Sequence, residues 1–319
     1  MARAHDVAVM HDFYVDRLVF TSDLGDLTGA IGAKSREGGG GIHGVKQAEV
    51  RGGNAVNLAH ALARLGLKTL LITHCDPPHV GMLEAAFEGL DAELRIKDGE
   101  PGLTVALEGR TNVMLSDPGL AGEFGPEILG PEDWKGLKSA KVVCSVNWAA
   151  NSKGTQLLRG LRKRLGPDAR IFVDPADFRD RGGDVRELFD SIRRGGTADW
   201  VSMNEQEAVF AAGTLGIGSA SRRELCSGLA RWLGVSFDLH CEDASYTSSG
   251  SKVFEAKTPR ANPLRLTGAG DVWDAGTIFC RLRDEADEAR LRFANRAARL
   301  YLASKEGLPP TESEVRKAR

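Results

Sequence analysis

Short apolar runs alternate with amphipathic stretches along almost the whole chain, and few folds accept that pattern. Runs at 6–10, 68–73, 141–146, 170–174 and 199–203 have the length and aliphatic content of buried strands. Stretches 54–65, 153–165, 184–193 and 204–212 read as the helices between or after them, and 269–282 and 285–304 read as two closing helices. In the first of these Ala55, Leu58, Ala59, Leu62 and Leu65 share one face, and Gly66 stands where a helix stops. Strand and helix in alternation mean an α/β chain: a parallel sheet covered on both faces. Residues 17–52 and about 99–120 break the pattern. They are irregular, with glycine clusters and short β-like pieces in the first and no strong helix in it, and such segments leave the main sheet as loops or a flap. The 319 residues therefore read as one main domain, 1–319, with a small β appendage.

Charge narrows the partners. With 42 basic and 44 acidic residues the net charge is −2, which leaves no basic excess to draw nucleic acid or an anionic membrane. No apolar run approaches the ~18 residues that span a bilayer, and the charged start Met1-Ala2-Arg3-Ala4-His5-Asp6 has no secretory apolar core. Five scattered cysteines without a C-x-x-C argue against disulfides or zinc and for a reducing, cytoplasmic location. Glycine is the outlier, at 38 of 319 residues against a usual ~7%. Its clusters are places where backbone approaches ligands closely.

Four stretches carry candidate chemistry. In Leu266-Thr267-Gly268-Ala269-Gly270-Asp271 small residues precede a helical pattern, so the N–H groups of Gly268, Ala269 and Gly270 lie open at a helix N-terminus and suit an anion. Asp271, in the same turn, is placed to take a proton from a hydroxyl attacking bound phosphate, or it is an acid that pairs with the helix dipole. In Arg51-Gly52-Gly53-Asn54-Ala55-Val56-Asn57 paired glycines admit a polar ligand, and two amides three residues apart suit hydroxyl recognition. The alternative is a glycine turn with Asn54 as the helix cap. Asn204-Glu205-Gln206-Glu207 follows a strand, where Glu207 can order a hydrated Mg²⁺ or simply complete a capping box. Asp174-Pro175-Ala176-Asp177-Phe178-Arg179 also follows a strand, and its acids and arginine face a site or pair with each other. One pattern is a decoy. Gly39-Gly40-Gly41-Ile42-His43-Gly44 fits G-x-G-x-x-G but follows no strand and opens no helix, so it is no dinucleotide fingerprint.

Taken together and in this order, Gly52-Gly53 with Asn57, Asn204 with Glu207, and Thr267-Gly268-Ala269-Gly270-Asp271 resemble the signatures of the ribokinase/PfkB family of sugar and nucleoside kinases. The resemblance covers nearly the whole chain. It implies a three-layer α/β/α sandwich with a small β lid formed by about 17–52 and 99–120, and it allows a homodimer through that lid. It implies Asp271 as catalytic base with Gly268, Ala269 and Gly270 as the anion hole. It assigns Asp16, as the Asp closing the opening strand, with Gly52, Gly53 and Asn57 to the acceptor. It assigns Asn204, Glu207 and Thr267 to Mg²⁺ and nucleotide phosphate, with Glu207 nearest the metal. Asn295, in the late helix, is assigned to the adenine pocket. ATP or ADP is the implied donor. Some departures stand out. Leu266 replaces the Asp that some members place near a monovalent cation, so potassium activation is not implied. Tyr14 replaces an Asn of ribose-type kinases, and Glu242 to Ser245 replaces a Gly-x-x-Gly near the donor phosphates.

Two readings remain at this level: a kinase acting on a sugar, nucleoside or sugar phosphate, or a non-catalytic sugar- or nucleotide-binding protein on the same fold. Arg51, Arg110 and Arg179 stand in candidate site segments. Guanidinium pairs phosphate bidentately, so Arg51 and Arg179 make an acceptor such as ribose 1-phosphate a candidate. The alternative for both is pairing with neighbouring acids, Glu49 or Asp177.

Overall fold

The computed structural model describes residues 5–109, 112–260, 263–264 and 267–318. Arg110 and Leu266 lie outside the described residues. In chain order the strands are β1 (Val7–His11), β2 (Tyr14–Phe20), β3 (Gln47–Gly52), β4 (Thr69–Cys75), β5 (Ala92–Asp98), β6 (Gly102–Glu108), β7 (Asn112–Asp117), β8 (Val142–Val146), β9 (Arg170–Asp174), β10 (Trp200–Asn204), β11 (Ser236–His240), β12 (Ala244–Ser248) and β13 (Val253–Lys257). The α-helices are α1 (Leu24–Arg36), α2 (Asn54–Arg64), α3 (Pro77–Phe87), α4 (Pro131–Ser139), α5 (Gly154–Leu165), α6 (Gly182–Gly195), α7 (Glu205–Leu215), α8 (Arg222–Leu233), α9 (Ala269–Arg281), α10 (Asp287–Leu302) and α11 (Glu312–Lys317).

Nine described strands form one sheet in the order β13-β12-β11-β10-β9-β8-β1-β4-β5. Every residue of β1 is buried because successive side chains point to opposite faces and both faces are covered. Val7 and Val9 enter the core beneath α2, α3, α9 and α10, whereas Ala8 and Met10 enter the core beneath α4 to α8. This is the three-layer sandwich expected.

Two expectations need correction. The sheet is not wholly parallel: β12 pairs antiparallel with β11, and β13 antiparallel with β12. Only three residues separate β11 from β12 and four separate β12 from β13, too few for the crossover a parallel pair demands. Residues 17–52 do contain a helix, the 13-residue α1. Asp23 caps it, its side chain accepting from Gly25 N at 2.6 Å and Asp26 N at 3.2 Å. No residue of α1 is buried, and Gly25, Gly29 and Gly32 lower its propensity, so the sequence carried little periodic signal.

The two pattern-breaking stretches build a second sheet, in the order β3-β2-β6-β7. Gly39 to Gly44 form the irregular, exposed connection before β3, with no βα turn there. Among the described residues no helix is long and apolar enough to cross a membrane.

Candidate active site

Polar side chains gather at the carboxyl ends of consecutive central strands, where open α/β sheets bind ligands. Asp12 follows β1, Asn147 follows β8, Asp174 ends β9, Asn204 ends β10 and His240 ends β11. A cleft of about 190 Å³ at these ends is lined by Asn54, Asp174, Glu207, His240, Gly268 and Asp271, among others.

The anion turn is built from backbone. Gly268 precedes α9 with φ of 85°, left-handed, and a Cβ there would stand 2.7 Å from the Tyr301 hydroxyl. That hydroxyl donates to the Thr267 carbonyl at 3.0 Å. Glycine is therefore required, and the first N–H groups of α9, which have no acceptor within their helix, face the cleft end. Asp271, the third residue of α9, is only 5% exposed. Asn54 Nδ2 donates to its Oδ1 at 3.0 Å and Asn57 Nδ2 to its Oδ2 at 3.1 Å. Burial, and after it the neighbouring Asp174, pushes its carboxyl well above the usual range, while the two amides pull it down. An orientated carboxylate of raised basicity is what a general base needs.

Asn54 is not the helix cap. The cap position belongs to Gly53, with φ of 97°, where a Cβ would meet the Asp12 carbonyl at 2.8 Å. Asp12, wholly buried, does the capping from across the chain: it accepts from Asn54 N at 2.8 Å, Ala55 N at 2.9 Å and Asn147 Nδ2 at 2.9 Å. The residue that closes the opening strand is therefore Asp12, not Asp16. Asp16 lies within β2 of the small sheet, where burial pushes its carboxyl up to about 6. It stays beside the site, because a Cβ on Gly52 would run into its carboxylate. Asp12 and Asn147 were missed by motif reading. Their one signal was a polar residue just past each buried strand, Asp12 after His11 and Asn147 after Val146.

Asn204 and Glu207 form the capping box that was the bland alternative. Glu207 Oε2 accepts from Asn204 N at 2.9 Å, its Oε1 from Asn204 Nδ2 at 2.6 Å, and Asn204 Oδ1 accepts from Glu207 N at 3.0 Å. The box also sits in the cleft. Burial, then the charge of Asp174, raises Glu207 to about 8. Asp274, one turn beyond Asp271, accepts from Ser202 Oγ at 2.6 Å and is pushed well up by burial and Asp174. Asp174 and Asp274 share a side-chain hydrogen bond, so one of the two carries a proton, and the crowding of carboxyls at the cleft is relieved by that proton and by the amides of Asn54, Asn57 and Asn204. Among the described residues no three His, Cys, Asp or Glu side chains form a ready cage for a metal ion. The donor set fits Mg²⁺, which keeps most of its waters and takes one or two carboxylates plus phosphate.

The arginines are engaged elsewhere. Arg51 donates to Asn57 Oδ1 at 3.0 Å and bonds His60 Nδ1, while Glu49 pairs with Arg17 instead. Arg179 is exposed and grips Asp177 through Nε at 2.7 Å and Nη2 at 2.5 Å. Asn295 is corrected too. Its Oδ1 accepts from Trp273 Nε1 at 2.7 Å, and its Nδ2 donates to the carbonyls of Ala256 and Lys257. At 1% exposure the amide holds α10 against α9 and β13. The same helix does line a groove of about 1270 Å³ through Ala298, Arg299 and Leu302, opposite Arg222, Asp243 and Lys257. Asp243, in the stretch replacing Gly-x-x-Gly, is neutralised by Arg222 Nη1 at 2.5 Å, and Arg222 also holds Glu205 at 2.7 Å. Thr258 Oγ1, on the same groove, is buried without a partner among the described residues, a fit for a polar ligand. His240 lies 5.0 Å from the Trp273 ring, centroid to centroid, and burial holds it near 4, uncharged at neutral pH.

A sequence model of the prokaryotic ketohexokinase family matches residues 21–319. The chain belongs to this family. Its members are carbohydrate kinases, phosphotransferases with an alcohol group as acceptor. No curated protein sequence matches the chain. Among solved structures it is similar to Arabidopsis thaliana ribokinase complexed with ribose and ATP, with a TM-score of 0.75, 19% identity, and coverage of 99% of this chain and 98% of that one. It is similar to adenosine kinase from Sinorhizobium meliloti, with a TM-score of 0.76, 17% identity and 95% of each chain covered. Ribokinase from Cryptococcus neoformans var. grubii in complex with ADP gives a TM-score of 0.74 at 16% identity, over 99% of each chain. These likenesses show the ribokinase-like fold. The ketohexokinase family and the sandwich agree with the resemblance read from the signatures.

Proposed function

We propose that this ketohexokinase-family chain transfers a phosphoryl group from ATP or ADP to a primary hydroxyl of an uncharged sugar. The observation that carries the reading is the seat of Asp271: a buried carboxylate aimed by Asn54 and Asn57, in the first turn after the Gly268–Gly270 N–H groups. Asp271 takes the proton of the attacking hydroxyl as the new P–O bond forms and the bond to the nucleotide oxygen breaks. The N–H groups of Gly268, Ala269 and Gly270 hold the charge that grows on the phosphoryl oxygens. Asp16, Gly52 and Gly53 address acceptor hydroxyls, while Asp12 holds the start of α2 and Asn57 holds the base beside them. Asn204, Glu207 and Thr267 serve the donor phosphates, with Glu207 holding a water of Mg²⁺; the ion supplies charge neutralisation between phosphates. The groove along α10 takes the nucleoside.

An uncharged acceptor is favoured over a sugar phosphate for an electrostatic reason. Arg51 and Arg179 are both spent on protein partners, and Asp12, Asp16 and Asp271 would face an acceptor phosphate with like charge. The family's description makes a ketohexose the first acceptor to try. Incubation with ATP or ADP and a panel of fructose, ribose, adenosine and ribose 1-phosphate, read by mass spectrometry, tests this. A phosphorylated neutral sugar is the expected product. Phosphorylation of ribose 1-phosphate alone, or of nothing, overturns it. The small sheet exposes Leu103, Val105, Val113 and Leu115 on one face, which suits a second copy of the chain. The free cysteines, of which Cys75, Cys144, Cys226 and Cys280 are buried, suit a cytoplasmic setting.

A further inference from the structure

Arg51 belongs to β3, at the edge of the small sheet, yet its guanidinium lies on α2 of the main layer. There it meets two acceptors one helical turn apart, Asn57 and His60. A guanidinium only donates. The Asn57 atom that faces Arg51 at 3.0 Å must therefore be Oδ1, which leaves Nδ2 for Asp271 Oδ2 at 3.1 Å. The same logic puts the bare nitrogen of His60 at Nδ1. Burial, and next the charge of Arg51, drives that imidazole down to about 3, so it is a neutral acceptor. The His60 ring is itself held edge-on against Phe87 at 5.5 Å. Without Arg51 only Asp271 itself orients the Asn57 amide, and a protonated Asp271, which can donate to the amide oxygen, would accept it turned over.

We infer that Arg51 is a positioning residue for phosphoryl transfer: it fixes the Asn57 amide with its nitrogen toward Asp271, and so ties the seating of the small sheet to the competence of the base. The inference rests on the reading of Asp271 as general base. The groups that set the electrostatics of Asp271 are Asp12 after β1, Asp174 at the end of β9, Asn54 and Asn57 on α2, Asp274 on its own helix, and the positive charge of Arg51. Removing that charge and freeing the amide both disfavour the carboxylate, so its titration moves to higher pH.

The test pairs kinetics with a direct titration. With ATP and whichever of fructose, ribose and adenosine turns over fastest, Arg51→Met lowers kcat roughly 10–100-fold through lost orientation. The acceptor KM stays within about threefold, the signature of a contact not made to substrate. The acid limb of kcat moves to higher pH, and Arg51→Lys, which keeps one charged donor, recovers most of the loss. A raised acceptor KM at unchanged kcat overturns the inference, since Arg51 would then bind substrate. Carboxyl ¹³C titration of Asp271 in wild type and Arg51→Met gives the readout without turnover, and an unmoved titration also overturns it. Where the Met variant melts early, Arg51→Gln replaces it in both measurements. Asp271→Asn run alongside separates the two readings: wild-type turnover there removes the base assignment, while the ¹³C titration still decides the role of Arg51.

Discussion

The large sheet and the small one are both made of short, aliphatic-rich strands, and they meet opposite fates. β1, β4 and β8 are buried along their whole length. β6 alternates buried and exposed positions, with Leu103 54% exposed, and its neighbour β7 leaves Leu115 61% exposed. The helix that accompanies the small sheet, α1, buries nothing. The difference is one of cover: helices shield both faces of the large sheet, so its strand ends are fixed by close packing, whereas the small sheet has little to lose by shifting. The division suits a kinase. The carboxyl proposed as base, the proposed anion turn and the strand-end amides sit on the closely packed part, and the surface proposed to face the acceptor sits on the part with less cover.

The largest effect that would sharpen this contrast lies at the fixed end. Asp271→Asn should lower kcat on the order of 10²–10⁴-fold if the carboxylate is the base, with little change in ligand affinity. Because burial raises the Asp271 carboxyl, wild-type kcat should climb as pH rises through that pKa, and the variant should lack this limb. Steady-state rates from acid to neutral pH check both, and a variant with wild-type turnover breaks the assignment. Next in size is stability. Phe237, in β11, is fully buried, so Phe237→Ala should cost about 3–5 kcal/mol in denaturant unfolding. Leu115→Ala, on the exposed face of β7, should stay within about 0.5 kcal/mol. Equal losses at the two positions would mean that the small sheet is as firmly packed as the large one. The smallest effect is local. Residues 17–52, including Gly38 to Gly41, should exchange amide hydrogens faster than β1 or β8 and slow when acceptor binds. Exchange that ignores the acceptor counts against closure.

The anion turn was legible because its chemistry is local: Gly268 needs a positive φ and Asp271 follows within one turn, both properties of adjacent residues. The helix 54–65 was legible for the same reason, since its apolar face repeats every turn. α1 was not, because a helix that buries nothing leaves no period. The signature motifs pointed to Asn57 and Glu207, but not to what those side chains do when no ligand is present. Arg179 finds Asp177 two residues away and Asn295 finds Trp273 across a helix interface, and nothing in either local sequence ranks such partners above a ligand. The resemblance makes Asp16 the close of the opening strand, and the run from Val7 onward gives no sign that the chain leaves one sheet at His11 and enters another at Tyr14.

By itself, then, the sequence determined the layered α/β architecture, the anion turn and the order of the kinase signatures, because burial period and backbone freedom act over a few residues. Only the tertiary structure decided which polar groups meet. Asn54 reaches Asp271 across 217 positions and Asn147 reaches Asp12 across 135. The second pair exists because parallel β1 and β8 deliver their carboxyl ends to one edge of the sheet, and the first because the opening turns of α2 and α9 pack side by side over it. The strand order that brings them there is settled by the packing of all the helices at once, not by any one stretch of chain.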